Sequence, residues 1–403
     1  MLASESTTTP HAARVDEPAR AIMPSADPCI ERFVFLIHPL DMRDVIRYEP
    51  QAANKRETLV KKVLEWMPSN IVSHVTGIES ATGKRAEGWF SLVPLLPSQF
   101  VDFPREQVYE KVLAAARLGH ANGARIVGLG GYTSVVGDAG QTLADRLEGK
   151  IAVTSGNSYT IATSLQGALE GARRLGMNLE DCRAAVVGAS GSIGSVCARL
   201  IARKVKHMTL VARNAGRLRN VAEVIRAECG KVCDIETEIA PGVRDSDIVI
   251  TATSSTGNII RPDDLKPGAL VCDVSLPHDV CREVATARPD VLVIEGGLAE
   301  VPGKNPDFGF DFGYPQGVSL ACMAETIILA LEGRYENYTL GRGIKIEQVE
   351  EISRLADKHG FKLAGLRSFD RVVTDDEIGA VREAARLRRK GVPPVYSFRE
   401  GVV

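Results

Sequence analysis

Three glycines, Gly188, Gly191 and Gly194, have the spacing in this chain that most directly indicates chemistry. They follow the apolar run 184–187 and precede residues 195–202, which have helical periodicity. A strand, a glycine turn and a helix in this order form a dinucleotide-binding crossover. The first glycine permits a tight turn, the second lets the backbone approach a pyrophosphate, and the third lets the helix pack close to the strand. Because the amides at the helix N-terminus then face the phosphates, the predicted contacts are Gly188, Ser190, Gly191, Ser192, Ile193 and Gly194.

The end of the second strand of this unit distinguishes the two nicotinamide cofactors. NAD-specific folds place Asp or Glu there, where the acid binds the ribose 2′-hydroxyl. Here the strand leads into Arg213 and Asn214, with Arg217 one helical turn further on. A guanidinium matches a 2′-phosphate in charge and can bond it through two N–H groups. The sequence therefore favours NADPH, and a solvated surface arginine is the alternative interpretation of Arg213.

Two later strand ends are expected to lie along the nicotinamide half of the cofactor. Thr253 and Ser254 end one predicted strand and are expected to line the path from the pyrophosphate to the nicotinamide. Gly296 and Gly297 end another, and the absence of side chains there would let the backbone lie against the nicotinamide ring.

Cys322 is the cysteine whose surroundings suggest a nucleophile. It follows a helix-breaking Tyr-Pro pair at 314–315, and Ser319 is expected to cap the new helix, which places Cys322 in the first turn. The positive end of the helix dipole favours thiolate over thiol and predicts a lowered thiol pKa. A cysteine in an apolar helix is also typical of an inert core thiol, and the spacing alone leaves both interpretations open. The other seven cysteines lack metal-ligand spacing, so no metal site is predicted.

These residues need two α/β units to position them. Strands, polar loops and helices alternate through the first half of the chain, and more regularly after residue 183, where at least five parallel strands are predicted. The predicted fold class is α/β, with a Rossmann-type doubly wound parallel sheet and a second α/β domain for the substrate. The predicted parts are a disordered tail 1–28, a substrate domain 29–180, an NADP-binding domain 181–312, a helical segment 313–366 that carries Cys322 and packs back on the substrate domain, and an extension 367–403.

The composition of the 403 residues is that of an ordinary soluble protein, with 44% hydrophobic and 25% charged residues. A formal net charge of −2 argues against nucleic acid as the main partner. No stretch approaches the roughly 20 apolar residues that span a bilayer, and the first residues lack the apolar core of a signal peptide. A cytoplasmic location is therefore expected.

Ten short motifs occur in the order of a known family. They are 80–84 (SATGK), 129–134 (LGGYTS), 154–160 (TSGNSYT), 186–195 (VVGASGSIGS), 212–214, 320–325 (LACMAE), 331–334, 341–342, 346–347 and 359–361. Through them the chain resembles the cyanobacterial long-chain acyl-(acyl-carrier-protein) reductases, which convert a carrier-bound acyl thioester to a fatty aldehyde. The resemblance covers residues 33–366, about four-fifths of the chain. Residues 300–317, rich in glycine and aromatic side chains, and the extension 367–403 depart from the family pattern.

The resemblance implies a covalent mechanism. The family's acyl-accepting cysteine falls on Cys322, which would take the acyl group from acyl carrier protein or coenzyme A and leave it for reduction by NADPH. Both steps develop negative charge on the carbonyl oxygen, which requires hydrogen-bond donors. Asn157 and Thr160 are the catalytic candidates for this role, with ordinary helix capping as the alternative.

Two functions of other classes also fit the sequence. One is a shikimate-type or amino-acid-type NADP dehydrogenase, which needs no cysteine. The other is a non-catalytic NADP-binding sensor. The acyl-thioester reductase is the function that also accounts for the surroundings of Cys322.

Overall fold

The computed structural model of the protein describes residues 25, 27–255, 257–369 and 371–391. The strands are β1 (Ile30–Ile37), β2 (Asn70–Glu79), β3 (Arg85–Leu92), β4 (Ile126–Leu129), β5 (Ala152–Thr154), β6 (Arg183–Val187), β7 (His207–Val211), β8 (Cys233–Glu236), β9 (Ile248–Thr251), β10 (Leu270–Asp273), β11 (Leu292–Glu295), β12 (Leu298–Glu300), β13 (Val318–Leu320), β14 (Lys362–Leu363), β15 (Arg367–Ser368) and β16 (Arg371–Val372). The helices are α1 (Met42–Tyr48), α2 (Glu57–Trp66), α3 (Pro97–Asp102), α4 (Arg105–Ala121), α5 (Tyr132–Val135), α6 (Gln141–Leu147), α7 (Asn157–Arg174), α8 (Ser192–Ala202), α9 (Ala215–Cys229), α10 (Ile239–Val243), α11 (Arg282–Ala287), α12 (Ala321–Glu332), α13 (Ile346–His359) and α14 (Asp375–Arg389).

The predicted disordered tail, residues 1–28, lies largely outside the described residues. Where the chain is described, it is attached to the first sheet. The amide of Ser25 donates to both carboxylate oxygens of Glu87, and Asp27 pairs with Arg85. Polar contacts with β3 thus hold the described residues of this segment.

Five strands form the first sheet in the order β2-β3-β1-β4-β5. β2 is antiparallel to β3, and the other pairings are parallel. Both faces of β1 are buried, because Phe33 and Phe35 belong to the apolar cluster on one side while Val34 and Leu36 belong to the cluster on the other. A strand covered on both faces reads as an uninterrupted apolar run, which is why β1 is recognisable in the sequence.

Six parallel strands form the second sheet in the order β11-β10-β9-β6-β7-β8. Counted along the chain from β6, this is the strand order of a Rossmann fold. Val187 at the end of β6 pairs with Val211 of β7 on one side and with Thr251 of β9 on the other. Helices α7, α8 and α9 cover one face, and α10 and α11 cover the other. The predicted fold class, a Rossmann-type doubly wound sheet beside an α/β domain, is confirmed.

The long helix α7 packs against the second sheet although it follows the last strand of the first. Glycines on one of its faces make the approach close. A Cβ at Gly171 would lie 3.1 Å from Leu270 of β10, and one at Gly167 would lie 3.8 Å from Ile294 of β11. Helices α12 and α13 also contact α7, so that a single apolar core connects the two sheets.

The segment before Cys322 differs from its prediction. Ser319 pairs with Ala299 in the antiparallel β12–β13 ladder, so its backbone is extended and it does not cap a helix. Helix α12 begins at Ala321, with Leu320 at the cap position and no side-chain cap bond. The predicted cap is therefore wrong, while Cys322 does lie in the first helical turn. α12 then packs across β1 and β4 of the first sheet.

The described part of the extension belongs to the nucleotide-binding half of the molecule. Phe369 is buried in the apolar cluster of the second sheet, on the face opposite α7. Arg388 of α14 pairs with Asp247, 3.1 Å away. α14 lies so close to the loop before β10 that a Cβ at Gly268 would be 2.4 Å from Cβ of Ala385.

Candidate active site

The glycine turn has no room for side chains at two of its three positions. Gly188 has φ +81°, and a Cβ there would lie 2.3 Å from the carbonyl oxygen of Ala252. A Cβ at Gly194 would lie 2.3 Å from the carbonyl oxygen of Gly188. Ala252 directly follows β9, so the turn occupies the point between β6 and β9 where the strand order reverses. Ligands of Rossmann folds bind at this point.

The N-terminus of α8 supplies hydrogen-bond donors there. Gly191 is the cap residue, and its own amide donates to the Gly188 carbonyl over 2.8 Å. In the part of the chain that the structure describes, the amides of Ser192, Ile193 and Gly194 have no backbone acceptor. Free amides at the positive end of an eleven-residue helix, beside a turn without side chains, fit a pyrophosphate.

The end of β7 carries two exposed arginines. Among the described residues, neither Arg213 nor Arg217 forms an ion pair with an acid. Asn214 caps α9, because its Oδ1 accepts from the amide of Arg217 over 3.0 Å. Of the three predicted residues, the two guanidiniums are thus available to a 2′-phosphate, while the Asn214 side chain serves the helix.

The hydroxyl of Thr253 is hydrogen-bonded within the protein. Its Oγ1 donates to Oδ1 of Asp279 over 2.6 Å, and Asp279 is completely buried. Thr253 therefore supports the glycine turn from behind, with its methyl group 3.1 Å from a Cβ placed at Gly188. Ser254, which follows it, is exposed.

The end of β11 leads directly to Cys322. The carbonyl of Gly297 accepts from the amide of Ala321 over 2.7 Å, which joins the last turn of the nucleotide-binding sheet to the first turn of α12. A Cβ at Gly296 would lie 2.8 Å from Oγ of Ser164 in α7. The predicted nicotinamide contacts and the predicted nucleophile are therefore neighbours in space.

Cys322 also contacts the loop that precedes α7. Gly156, the cap residue of α7, has φ +74°, and a Cβ there would lie 2.3 Å from Cβ and 2.4 Å from Cα of Cys322. Burial raises the pKa of the Cys322 thiol to about 12. The predicted lowering of this pKa is wrong, because a dipole at the first helical turn contributes less than about 1 kcal/mol at an exposed site, and here desolvation of the thiolate outweighs it.

The two residues predicted to donate to the oxyanion differ in whether their side chains already donate a hydrogen bond within the protein. Thr160 donates its Oγ1 proton to the carbonyl of Gly156 over 2.9 Å, and its methyl group lies 3.4 Å from a Cβ placed at Gly297. Its hydroxyl proton is therefore not directed at a substrate, in contrast to the prediction. Asn157 is buried, and its side-chain amide has no hydrogen bond to another described residue.

A carboxylate that the sequence analysis did not single out lies one turn after the cysteine. Glu325 is completely buried. Its Oε1 accepts from Oγ1 of Thr154 at 2.5 Å and Oγ1 of Thr339 at 3.1 Å, and its Oε2 accepts from the amide of Tyr159 at 2.7 Å. Burial raises the pKa of Glu325 to about 7 although these donors lower it. As the single charged residue of the apolar run 318–331, it was visible in the sequence.

A second missed group lies at the ends of β10 and β11. Asp273 and Glu295 are register partners, and His278 lies between them, with Nδ1 3.5 Å from Asp273 Oδ2 and Nε2 3.2 Å from Glu295 Oε1. Burial lowers the pKa of His278, but the two carboxylates outweigh burial and raise it to about 10. Phe369 of the extension contacts this imidazole edge to face at 5.5 Å. The group faces the extension, on the side of the sheet opposite α7.

Among the described residues, no helix is long and apolar enough to cross a membrane. The same residues contain no group of three or more His, Cys, Asp or Glu side chains arranged to hold a metal ion.

The chain matches a protein family over part of its length and individual proteins over more of it. Residues 170–295 match the Shikimate / quinate 5-dehydrogenase family. Over 312 residues the chain is 32% identical to the aminotransferase PigE of Serratia sp., an alignment that covers 75% of this chain and 36% of PigE. The chain thus spans about a third of the length of that relative.

Two reductases are also similar to the chain. The long-chain acyl-[acyl-carrier-protein] reductase of Synechococcus elongatus is 29% identical over 316 residues, covering 73% of this chain and 87% of that enzyme. Glutamyl-tRNA reductase 1 of Nocardioides sp. is 28% identical over 149 residues, 36% of this chain and 33% of that enzyme. The relationship to the acyl-carrier-protein reductase is distant, and PigE matches at higher identity.

These relationships support the predicted cofactor and class. The dehydrogenase-type domain coincides with the glycine turn, the free α8 amides and the β7 arginines. The predicted NADP(H) cofactor is confirmed, and the chain is distantly related to an acyl-carrier-protein reductase.

Proposed function

We propose that the protein reduces an acyl thioester to an aldehyde with NADPH, through an acyl group held on Cys322. The observation that carries the proposal is the position of Cys322, which contacts the N-terminus of α7 through Gly156 and the end of β11 through the Ala321–Gly297 hydrogen bond. A nucleophile at this place lies between the substrate domain and the strand ends that hold a nicotinamide.

The first step is acyl transfer to Cys322. The bond between Sγ and the carbonyl carbon forms, the bond from that carbon to the carrier sulfur breaks, and the proton of the Cys322 thiol leaves with the carrier thiol. Because burial raises the pKa of the Cys322 thiol, the reactive thiolate is the minor form at neutral pH. The thiol loses its proton to solvent before the attack, and the departing carrier thiolate takes one up.

The second step releases the aldehyde. NADPH, when bound, supplies a hydride to the acyl carbon. The carbon–Sγ bond then breaks, and the sulfur regains a proton from solvent. Asn157 would donate to the carbonyl oxygen in both steps, since it is the first residue of α7, directly after Gly156, and its side-chain amide is bound to no other described residue.

The cofactor is assigned to this chain's own donors. The amides of Ser192, Ile193 and Gly194 would hold the pyrophosphate, and Arg213 would bond the 2′-phosphate. The acyl donor would be acyl carrier protein or coenzyme A. Both present the same thioester, and the relationship to an acyl-carrier-protein reductase favours the former.

The test is an acyl adduct on Cys322. The wild-type protein, incubated with acyl thioesters on either carrier and without NADPH, should gain one acyl mass that hydroxylamine removes. Cys322→Ala should neither gain this mass nor form aldehyde, while its NADPH affinity stays unchanged. Cys281→Ala, which removes a partly buried thiol from the cap of α11, is the matched control and should behave as wild type.

Two outcomes would contradict the proposal. Aldehyde formation by Cys322→Ala at the wild-type rate would exclude the covalent mechanism. Full NADPH-linked oxidation of a hydroxy acid by Cys322→Ala would favour a dehydrogenase, the function to which the match of residues 170–295 also points.

A further inference from the structure

The donors of Glu325 connect it to the loop that lies on Cys322. Two of them, Thr154 and Tyr159, stand at either side of Gly156, the residue in contact with Cys322. The carboxylate thus accepts hydrogen bonds from the segment 154–160 on both sides of Gly156, the residue in contact with Cys322. Because Glu325 and Cys322 share the first turns of α12, the loop is attached to the same helix twice, once by packing and once by hydrogen bonds.

A second segment completes this attachment. Thr339, the third donor, also exchanges a hydrogen bond with the hydroxyl of Ser158 at 2.9 Å, and its carbonyl accepts from Oγ of Ser155. All of these side chains are buried. The network therefore has no access to water that could replace a lost bond, and each bond fixes the loop more firmly than the same bond would at a surface.

The arrangement suits the ionised carboxylate. Every direct partner of Glu325 is a donor, and both oxygens accept. A proton on Oε2 would face the amide of Tyr159, which cannot accept, so that bond would break. No Lys, Arg or His in the described part of the chain pairs with Glu325. Neutral hydroxyls and an amide are thus what keeps the charge buried.

The titratable groups around this carboxylate are few. Cys322 faces it from its own helix and Tyr338 from the segment before Thr339, whereas Tyr159 of α7 contributes its backbone amide. Tyr338 is a phenol, and the negative charge of Glu325 itself contributes to its raised pKa. At neutral pH the ionisable state that changes here is therefore that of Glu325.

We propose that Glu325 is a positioning residue of the acyl-transfer site, which as a carboxylate holds residues 154–160 against Cys322. Its kinetic consequence rests on the proposed function of Cys322, while its structural consequence does not. Protonation of Glu325 below about pH 7 releases a bond to the loop, and the loop then no longer presents Asn157 to the substrate oxygen.

The experiment compares Glu325→Gln with Glu332→Gln. Glu332 is the matched control because it is the last residue of α12, at the other end from Cys322, and pairs with Lys358 and His359. Hydrogen exchange of the peptide that contains residues 154–160 is measured at pH 8. Glu325→Gln should exchange at least tenfold faster than wild type, since an amide offers one acceptor oxygen, and Glu332→Gln should match wild type.

The kinetic arm follows acylation of Cys322 by a coenzyme A thioester, read by intact mass from pH 5.5 to 9. In the wild type, the logarithm of the rate should rise with slope 2 below pH 7, where both Glu325 and the thiol must lose a proton, and with slope 1 above it. Glu325→Gln should acylate at least tenfold more slowly at pH 8, with slope 1 throughout. A role confined to fold stability would change the rate but leave both slopes.

The outcomes separate the two proposals. Wild-type exchange and wild-type slopes in Glu325→Gln would overturn the assignment, as would equal losses in Glu332→Gln. A wild-type protein that never forms the adduct would refute the function of Cys322, and exchange of residues 154–160 would still decide the role of Glu325. Should Glu325→Gln not fold, Thr154→Val and Thr339→Val each remove one donor and retain the carboxylate. Unchanged loop exchange in both would contradict the proposal.

Discussion

Gly156→Ala is the substitution that should most directly separate the acyl-transfer site from the fold. The added Cβ would lie 2.3 Å from Cβ of Cys322, whereas carbon atoms in contact are about 3.5–4.0 Å apart, so the loop and α12 must separate by more than about 1 Å. A displacement of about 1 Å at reacting groups costs on the order of 100-fold in rate. Acylation of Cys322 should therefore fall about 100-fold, while NADPH affinity, which depends on the distant α8 N-terminus, should not change.

The stability cost has two parts that a control separates. The left-handed backbone costs an alanine about 1–2 kcal/mol, and overpacking adds about 1–3 kcal/mol. Gly176, just beyond the other end of α7, has φ +67° and nothing within 4 Å of its added Cβ. Gly176→Ala should therefore lose only the first part in a denaturant titration and acylate normally. If Gly156→Ala matches Gly176→Ala in stability and acylates at the wild-type rate, the contact between the loop and Cys322 does not exist in solution.

Two further predictions concern the nucleotide-binding half. Arg213→Ala should weaken NADPH by about 10- to 100-fold, the loss of a charge-assisted bond, and leave NADH unchanged in a fluorescence titration; equal losses for both cofactors would contradict the assignment. His278→Gln should destabilise the protein by up to about 5 kcal/mol, because the histidine pKa is raised from 6.5 to about 10 in the folded state. This contribution is complete below pH 6.5 and is lost as the pH rises to 10, so thermal melts of the variant and wild type should converge there, and a constant difference would be evidence against the ion pair.

The nucleotide-binding part was predictable because its signals are local. Gly188 and Gly194 lie where a turn and a helix pass too close to neighbouring backbone for a side chain to fit. The two glycines are only a few residues apart, so their spacing in the sequence predicts this geometry directly. The assignment of Arg213 rests on the same regularity, since the end of the second strand lies at the ribose end of the cofactor in Rossmann folds, and it stays a prediction. The order of the six strands could then be inferred from the crossover alone.

The site around Cys322 was less predictable because its parts come from distant segments. Gly156 and Cys322 are adjacent only after α7 and α12 pack, and nothing in the sequence between them encodes that contact. Ser319 has the residue type of a helix cap, but pairing with β12 takes its backbone into a strand. The predicted lowering of the Cys322 pKa is wrong for the same reason. A position in the first helical turn, and with it the dipole effect, can be inferred from the sequence, whereas the burial of the thiol cannot.

The group of His278, Asp273 and Glu295 was not predicted for a related reason. Asp273 and Glu295 are 22 positions apart, and they meet because β10 and β11 pair in register. Both acids were visible at the ends of predicted strands, but their pairing required the register, which periodicity does not supply.

Helix α7 has a consequence for how the chain can be divided. The family match begins at residue 170, inside the helix, while the N-terminal residues of α7 serve Cys322 and Gly167 and Gly171 rest on β10 and β11. A cut at the edge of the matched region would leave most of α7 on the first fragment and only its last turn on the second, and each fragment would expose a face that the other normally covers. The two halves of this molecule are therefore not independently exchangeable units. A chimaeric protein that replaces one half must retain the whole of α7 together with the parts of both halves that it contacts.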